Sequence, residues 1–318
     1  SSADNEPKAG EGFTLNITNA RDADNNLADG IINISFESGS LDDHVAPDGS
    51  TKPVLTPIWV TNGSGSATQT LYKVETVRLR GTASGGASVL TGNIYVKPGV
   101  VGSLTISEPP ETTIAGLDFG VGNDITVTAF DAWKNRKTDL IGNLYFTSSD
   151  PQAALDWNIT RPYPFVVSDG GVKTFSGEEF EFRTAGYHTF DAVFPSAGIR
   201  QTSERFEVLP GVIKSFSFEP VGTQTAGSPF ELKVVNAVDD FGNPANATVT
   251  VNFIGGDHNA PNGLFPNLNS IKVNKGSGSA FQTLVRAETL QLIGQATSTV
   301  SALTNNITVQ PAALSHFK

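Results

Sequence analysis

The chain has 318 residues, 38% of them apolar, which is enough material for two to three folded domains at about 100–200 residues each. The formal net charge of −11, with 21 Lys and Arg residues scattered along the chain, argues against a nucleic-acid partner. The sequence contains no cysteine, which excludes disulfides, thiolate metal sites and cysteine nucleophiles.

Short runs rich in Val, Ile, Thr and Phe alternate with clusters of Gly, Asn, Asp, Pro and Ser along the whole chain. This rhythm is typical of an all-β sandwich protein. Gly or Pro interrupts every helical pattern, and no run approaches the ~18 apolar residues of a membrane span. The chain begins at Ser1 and contains no Met, so we expect a secreted chain whose signal peptide has been removed, located outside the cell or at its surface.

An Ala-Gly pair followed by an apolar strand occurs three times, as KAGEGFTLNITNARD (8–22), IAGLDFGVGNDITVTAFD (114–131) and TAGSPFELKVVNAVD (225–239). The copies lie roughly 110 residues apart, the size of one immunoglobulin-like (Ig-like) sandwich. A later stretch, GSGSATQTLYKVETVRLRG (63–81), matches GSGSAFQTLVRAETLQLIG (276–294). We therefore predict three tandem Ig-like β-sandwich domains in an elongated array, at residues 1–97, 98–209 and 210–310.

The second copy contains TSSDPQAAL (147–155), SDGGVKTFS (168–176) and RTAGYHTF (183–190), and a PG-x3-SL or PG-x3-SF opening occurs at 98–104 and 210–216. With the TAGSPF-type stretch, these motifs resemble the Ig-like repeats arrayed in very large surface and exported proteins of bacteria. The resemblance covers nearly the whole chain. It implies an extracellular, non-enzymatic structural or adhesive role.

A strand opens the second and third repeats, KPGVVGSLTI (97–106) and LPGVIKSFSF (209–218), and similar sequence, QPAALSHFK (310–318), follows the third. Before its Ala-Gly pair, the first repeat has only SSADNEPK. The register therefore predicts that domain 1 lacks its N-terminal strand and that 311–318 is a spare first strand. The predicted donor residues are Pro311, Ala313, Leu314, His316 and Phe317, and the predicted acceptor groove includes Phe13, Leu15 and Ile17.

These features predict a structural subunit of an extracellular filament or surface layer. The partner would be the protein itself, in a head-to-tail homopolymer formed when the C-terminal strand enters domain 1 of the next copy. Two alternatives stay open: an adhesin or carbohydrate-binding array that binds a glycan or surface ligand through its loops, and a fragment cut from a giant surface protein.

Enzymatic motifs such as GxSxG, HExxH, the P-loop and GxGxxG are absent from the sequence. No carboxylate pair stands out as acid and base, and His188 and His316 lie in strand-like stretches. We expect no catalytic residue, no enzymatic activity and no required cofactor.

Calcium is a candidate ligand on two sequence features. The stretch DADNN places Asp22, Asp24 and Asn26 at alternate positions, as at the start of a calcium loop, although Leu27 replaces the expected glycine. A loop shared by repeats 1 and 3, DDHVAPDG (42–49) and GDHNAPNG (256–263), offers Asp43 and Asp257, with His44 and His258, for a metal or partner.

Turn formation is the alternative interpretation of both features. Pro-Asp-Gly and Pro-Asn-Gly form turns, and an Asp followed four residues later by Asn, seen at 22 and 26, 131 and 135, and 239 and 243, caps them.

Six Asn-x-Ser/Thr sequons are candidate glycosylation sites: Asn16, Asn33, Asn62, Asn158, Asn246 and Asn306. Strand alternation predicts that Asn16 faces solvent.

Overall fold

A computed structural model of the chain describes residues 6–314. Within this range the chain folds into β-strands joined by turns and four short 3₁₀ turns, with no α-helix. The prediction of an all-β protein is confirmed. Accordingly, residues 6–314 contain no helix with the length and apolarity needed to cross a membrane.

The strands fall into three consecutive groups that follow the three sequence repeats. Repeat 1 has β1 Gly12–Ile17, β2 Gly30–Phe36, β3 Ile58–Val60, β4 Gly65–Thr70, β5 Thr76–Val77, β6 Leu79–Ala83, β7 Ser88–Leu90 and β8 Ile94–Tyr95. Repeat 2 has β9 Val101–Ile106, β10 Thr112–Ile114, β11 Ile125–Asp131, β12 Gly142–Ser148, β13 Ala154–Leu155, β14 Tyr163–Phe165, β15 Val172–Phe175, β16 Phe180–Glu181, β17 Gly186–His188, β18 Phe190–Phe194, β19 Ile199–Thr202 and β20 Phe206–Leu209. Repeat 3 has β21 Ser215–Phe218, β22 Gln224–Thr225, β23 Pro229–Val238, β24 Ala247–Phe253, β25 Ile271–Val273, β26 Gly278–Thr283, β27 Thr289–Leu290, β28 Leu292–Gln295, β29 Ser301–Leu303 and β30 Ile307–Gln310. The 3₁₀ turns are Leu41–His44, Val167–Asp169, Gly177–Glu179 and Pro195–Ala197.

Repeat 3 is a two-layer sandwich. Its two larger packed sheets have the orders β21-β23-β26 and β25-β24-β28-β29, and a further three-stranded sheet has the order β22-β30-β27. Alternation along β23 buries Leu232 and Val234, which share one apolar core with Val249 of β24 and Leu292 of β28. The first strand, β21, pairs antiparallel with β23 and lies alongside β29, so it closes the sandwich at one edge.

Repeat 2 has the same plan, with β9 as the first strand. This strand pairs antiparallel with β11 and lies alongside β19. Its core is dominated by phenylalanine: Phe146 packs edge-on against Phe175 and Phe180, with ring centroids 5.0 Å apart in both pairs.

Repeat 1 differs at one edge. Within the described residues β1 pairs only with β4, whereas β11 and β23 each have a strand on both sides. The apolar core of this repeat still forms around Phe13, Leu15, Ile58 and Leu79, all of which are buried. Within residues 6–314, repeat 1 therefore has its core but no strand beside β1 at the edge where the other two repeats carry β9 and β21.

The Ala-Gly pair marks the same backbone feature in each repeat. Gly10, Gly116 and Gly227 all have φ between 79° and 81°, a left-handed conformation that glycine adopts without steric cost. Their N–H groups donate to the carbonyl oxygens of Leu71, Phe182 and Leu284. These bonds tie the start of each repeat to its own late strands and align the three repeats residue by residue.

Candidate functional site

A groove of about 480 Å³ runs along the open edge of β1. Its walls come from β1 on one side and from β2, β6 and β7 on the other, and its apolar lining includes Leu15, Ile17, Ile32, Ile34 and Val89. The groove therefore lies between β1 and β7, the position that β21 takes between β23 and β29 in repeat 3.

Burial differs sharply between this groove and its counterpart in repeat 3. Pairing registers align Ile32 with Val249 and Ile34 with Val251. Val249 is fully buried and Val251 is 4% exposed, but both isoleucines remain half-buried. Apolar side chains that belong to the core are thus left partly in water in repeat 1.

One position in the groove shows what a first strand contributes. In repeat 3 the Phe218 ring packs directly over Gly294, where an added Cβ would lie 2.4 Å from Cζ. Gly81 is the repeat 1 counterpart of Gly294, and an added Cβ there would meet aliphatic side chains instead: Ile32 Cγ2 at 2.9 Å, and Ile34 and Val89 at 3.7 Å. We call this position on the floor of the groove, lined by Ile32, Ile34 and Val89, the Gly81 socket.

Of the predicted groove residues, Phe13 lies in the core of repeat 1, Leu15 lies in the core and also lines the groove, and Ile17 lies in the groove lining. Of the predicted donor residues, Pro311, Ala313 and Leu314 are exposed and form no strand, with Leu314 83% exposed. His316 and Phe317 lie outside the described residues.

The Asp-x3-Asn motif lies at the joints between repeats. At the first joint, Asp131 is fully buried and caps its turn by accepting from the Trp133 and Asn135 N–H groups, both at 2.9 Å. The Asn135 amide then reaches repeat 1: its Nδ2 donates to the Tyr72 carbonyl at 2.7 Å, and its Oδ1 accepts from the Val74 N–H at 2.8 Å.

The second joint repeats this geometry. Asn243 Nδ2 donates to the Arg183 carbonyl, and Asn243 Oδ1 accepts from the Ala185 N–H, both at 2.7 Å. Asp239 is 3% exposed and holds Asn243 through bonds to its N–H and its Nδ2. The turn-capping prediction describes the aspartates, and the asparagines add a two-bond clamp on the preceding repeat.

An aromatic ring completes each joint. Trp133 packs on Gly10 and lies 5.4 Å from the Tyr72 ring. Phe241 packs on Gly116, and the Arg183 guanidinium lies 5.5 Å from its centroid. The Ala-Gly turn of one repeat is therefore the seat for an aromatic side chain of the next.

Burial at the second joint raises the pKa of Asp239, but hydrogen bonds from the Asn243 amide and from backbone N–H groups, including that of Gly211, outweigh it. The net pKa lies below the ordinary range, so Asp239 is ionised at neutral pH. The ionised carboxylate accepts four N–H groups and fixes the Asn243 side chain for its contact with repeat 2.

The shared Asp-His loops act as internal braces. His44 stacks on Phe36 and bonds Glu75 at 2.9 Å, while His258 stacks on Phe253 and bonds Glu288 at 2.9 Å. Asp43 accepts from the Ser40 N–H, and Asp257 from the Asn259 N–H. These contacts match the turn interpretation of the loops.

The predicted calcium residues of repeat 1 bond to one another. Asp22 accepts from the Asp24 and Asn26 N–H groups at 3.0 and 2.8 Å. Residues 6–314 contain no group of three or more His, Cys, Asp or Glu side chains that could hold a metal ion. Calcium binding stays a prediction.

Glycosylation candidates differ in accessibility. Asn33, Asn62, Asn246 and Asn306 are exposed, whereas Asn158 is half-buried. Asn16, predicted to face solvent, is also half-buried because it lies at the rim of the groove.

No protein-family model and no curated protein matches the chain. Among solved structures, the chain resembles Ig-like domain proteins of bacteria, in agreement with the resemblance inferred from the sequence. InvD of Yersinia pseudotuberculosis matches with a TM-score of 0.44 and 16% identity over 95% of each chain. Invasin, a bacterial integrin-binding protein, matches with a TM-score of 0.37 and 14% identity over 96% of this chain and 58% of that one. Domains 4 and 5 of the S-layer protein SbsC match with a TM-score of 0.28 and 11% identity over 66% of this chain and 98% of that one.

Proposed function

We propose that the protein is a structural subunit of an extracellular filament or surface layer. In this proposal, segment 311–318 of one copy enters the groove of repeat 1 in the next copy as the absent first strand. The observation that carries the proposal is the open edge of β1 beside an apolar groove, at the place where repeats 2 and 3 each hold a strand.

The chemistry of the segment fits this role. Aligned on the proline that opens each repeat, Leu314 takes the position of Ile213 and Phe317 that of Phe216, and both of these repeat 3 residues are buried. Backbone groups of the incoming strand would pair with β1 at the edge opposite β4, as in other strand additions. Donor and acceptor surfaces differ, so the contact is head-to-tail and generates an open fibre.

The strand alone gives a weak contact. Burial of two large side chains contributes about 1.5–3 kcal/mol each, which is comparable to the lower end of the ~4–15 kcal/mol entropic cost of association. Stable fibres therefore need further contacts between the joined copies.

Deletion of Ala312–Lys318 tests the proposal. Sedimentation velocity of the full chain at rising concentration is expected to show a series of end-to-end multimers, and the deletion variant is expected to stay monomeric. A full chain that stays monomeric at high concentration, or a deletion variant that assembles equally well, contradicts strand donation.

A further inference from the structure

Repeat 1 carries a third copy of the joint motif, and there it is exposed. Asp22 and Asn26 hold each other as at the internal joints: Asp22 accepts the Asn26 N–H at 2.8 Å and the Asn26 Nδ2 at 3.2 Å. The equivalent residues Asn135 and Asn243 are only 3% and 6% exposed, but Asp22 and Asn26 are both exposed to solvent. Within the described residues, the Asn26 amide contacts no other repeat.

Repeat 3 carries the backbone groups that a joint asparagine contacts, and within residues 6–314 they have no hydrogen-bond partner. The Gly10 to Leu71 and Gly227 to Leu284 hydrogen bonds align Tyr72 with Val285, and hence Val74 with Ala287. Side chains support this register, since Lys73 donates to the Asp43 carbonyl and Arg286 to the Asp257 carbonyl. No hydrogen bond in the described part of the chain uses the Val285 carbonyl or the Ala287 N–H.

The aromatic seat at this end is also open. Gly10 and Gly116 are each covered by a ring of the following repeat, but among residues 6–314 nothing lies within 4 Å of an added Cβ at Gly227. Within residues 6–314, repeats 1 and 3 therefore carry the two halves of a joint that is formed twice between the repeats.

We propose that these surfaces bind each other between two copies of the chain. The Asn26 amide of one copy would clamp the Val285 carbonyl and the Ala287 N–H of the preceding copy. Within the described residues, Asp22 Oδ2 accepts a hydrogen bond only from the Asn26 amide. The equivalent oxygens of Asp131 and Asp239 also accept from the N–H of Gly99 and Gly211, respectively. Ala312 aligns with these glycines, one residue after the proline, so its N–H would supply this bond.

This inference rests on the proposed function and adds a second contact to strand donation. It differs from the internal joints at two of the positions named above, since Asp24 takes the place of Trp133 and Phe241, and Ala312 takes the place of Gly99 and Gly211. Aspartate does not supply the apolar packing that these rings make on glycine. The contact between copies should thus be weaker than the internal joints, which suits reversible assembly.

Two substitutions in the full chain test the clamp. Asn26→Ala removes both amide bonds and is expected to weaken self-association by about tenfold in sedimentation equilibrium. Asp24→Trp restores the ring over Gly227 and is expected to strengthen self-association by a similar factor. Asn143→Ala, an exposed asparagine of repeat 2, is the matched control and should leave association unchanged.

The readouts separate the clamp from strand donation. A peptide with the sequence of residues 310–318 should bind the Asn26→Ala chain lacking 312–318 as tightly as it binds the same deletion chain with Asn26 intact. If Asn26→Ala associates as strongly as wild type while deletion of 312–318 abolishes association, the clamp is overturned and strand donation stands. A full chain that stays monomeric overturns both the clamp and strand donation. If Asp24→Trp still strengthens self-association in a chain that lacks 312–318 and carries Asn26→Ala, the tryptophan does not act through packing on Gly227, and that part of the proposal is overturned.

Discussion

At the scale of single residues, one asparagine side chain joins each pair of neighbouring repeats. Its amide makes one donor and one acceptor bond to the backbone of the preceding repeat, and an ionised aspartate fixes its orientation. This asparagine fixes the relative orientation of the two repeats as well as their contact, because both of its amide hydrogen bonds form only in one relative orientation.

Replacement of Asn243 by Ala should destabilise the protein by about 1–3 kcal/mol, because the Arg183 carbonyl and the Ala185 N–H lose their partner at a largely buried joint. Urea unfolding followed by fluorescence measures the change. Asn26→Ala, the same substitution at the exposed copy, should stay within about 0.5 kcal/mol of wild type in the monomer. Equal effects of the two substitutions would contradict a joint-specific role.

The His258 brace should make repeat 3 sensitive to pH. Burial lowers the pKa of His258, but bonds to Glu288 and to the Gly255 carbonyl outweigh it, and the net pKa lies above 6.5 despite the nearby Arg286. A raised folded-state pKa stabilises the fold fully below about pH 6.5, and this stability is lost as pH rises through the folded-state value. The melting temperature of repeat 3 should therefore fall between slightly acidic and alkaline pH.

Glu288→Gln removes the carboxylate that holds the proton on His258, and it should flatten this pH dependence while lowering stability at pH 6. Differential scanning calorimetry of both chains from pH 5.5 to 9 provides the comparison. A pH profile that is the same with and without the carboxylate contradicts the assignment.

At the scale of secondary-structure elements, the first strand decides whether a repeat is closed. β9 and β21 each bridge the two sheets at one edge, and the groove of repeat 1 lies where such a strand is missing from the described residues. In repeat 3, Phe218, eight positions after the opening proline, packs over Gly294.

When the opening prolines are aligned, a peptide with the sequence of residues 310–318 ends one residue short of the position equivalent to Phe218. It therefore has no side chain for the Gly81 socket. Addition of Phe at its C-terminus should tighten its binding to the chain lacking 312–318 by tenfold or more, since a buried Phe contributes about 1.5–3 kcal/mol. The matched peptide ends in Ser instead. Isothermal titration calorimetry gives both affinities, and equal values would show that the socket is not the Phe218 position.

Strand alternation and repeat spacing predicted much of this architecture. Phe13 and Leu15 are buried as their alternation indicates, and the Ala-Gly pairs align three similar backbones. The role of Asn135 and Asn243 at the joints could not be predicted, because a turn cap and an inter-repeat clamp require the same Asp-x3-Asn pattern. The aromatic residue two positions after the aspartate, Trp133 or Phe241, was the one available signal of a buried neighbour.

Asn16, which strand alternation predicts to face solvent, is half-buried. Alternation assigns a residue to one face of a strand but does not say whether the edge of that strand is covered. In repeat 1 both Asn16 and Ile17 are half-buried, so the inside-outside alternation of β1 weakens toward its end.

At the scale of the whole molecule, the same joint connects repeat 1 to repeat 2 and repeat 2 to repeat 3. Within residues 6–314, repeat 1 also carries an unused asparagine half of this joint, and repeat 3 carries an unused backbone half. Each added copy would bury one groove and one clamp and present the same pair of surfaces again. In the proposed assembly, this head-to-tail contact would add copies end to end.

Cross-linking between two copies tests head-to-tail strand donation most directly, because the protein has no cysteine of its own. The pairing of Ser217 with Val235 in repeat 3 places Lys318 of the donor opposite Thr18 of the acceptor. A Thr18→Cys chain with a size tag, mixed with a Lys318→Cys chain under mild oxidation, should give a disulfide-linked heterodimer on a non-reducing gel. Thr14→Cys, about 13 Å along the same strand, should give little or none. Absence of the Thr18 heterodimer, or equal yields from both positions, would contradict donation of the strand in this register.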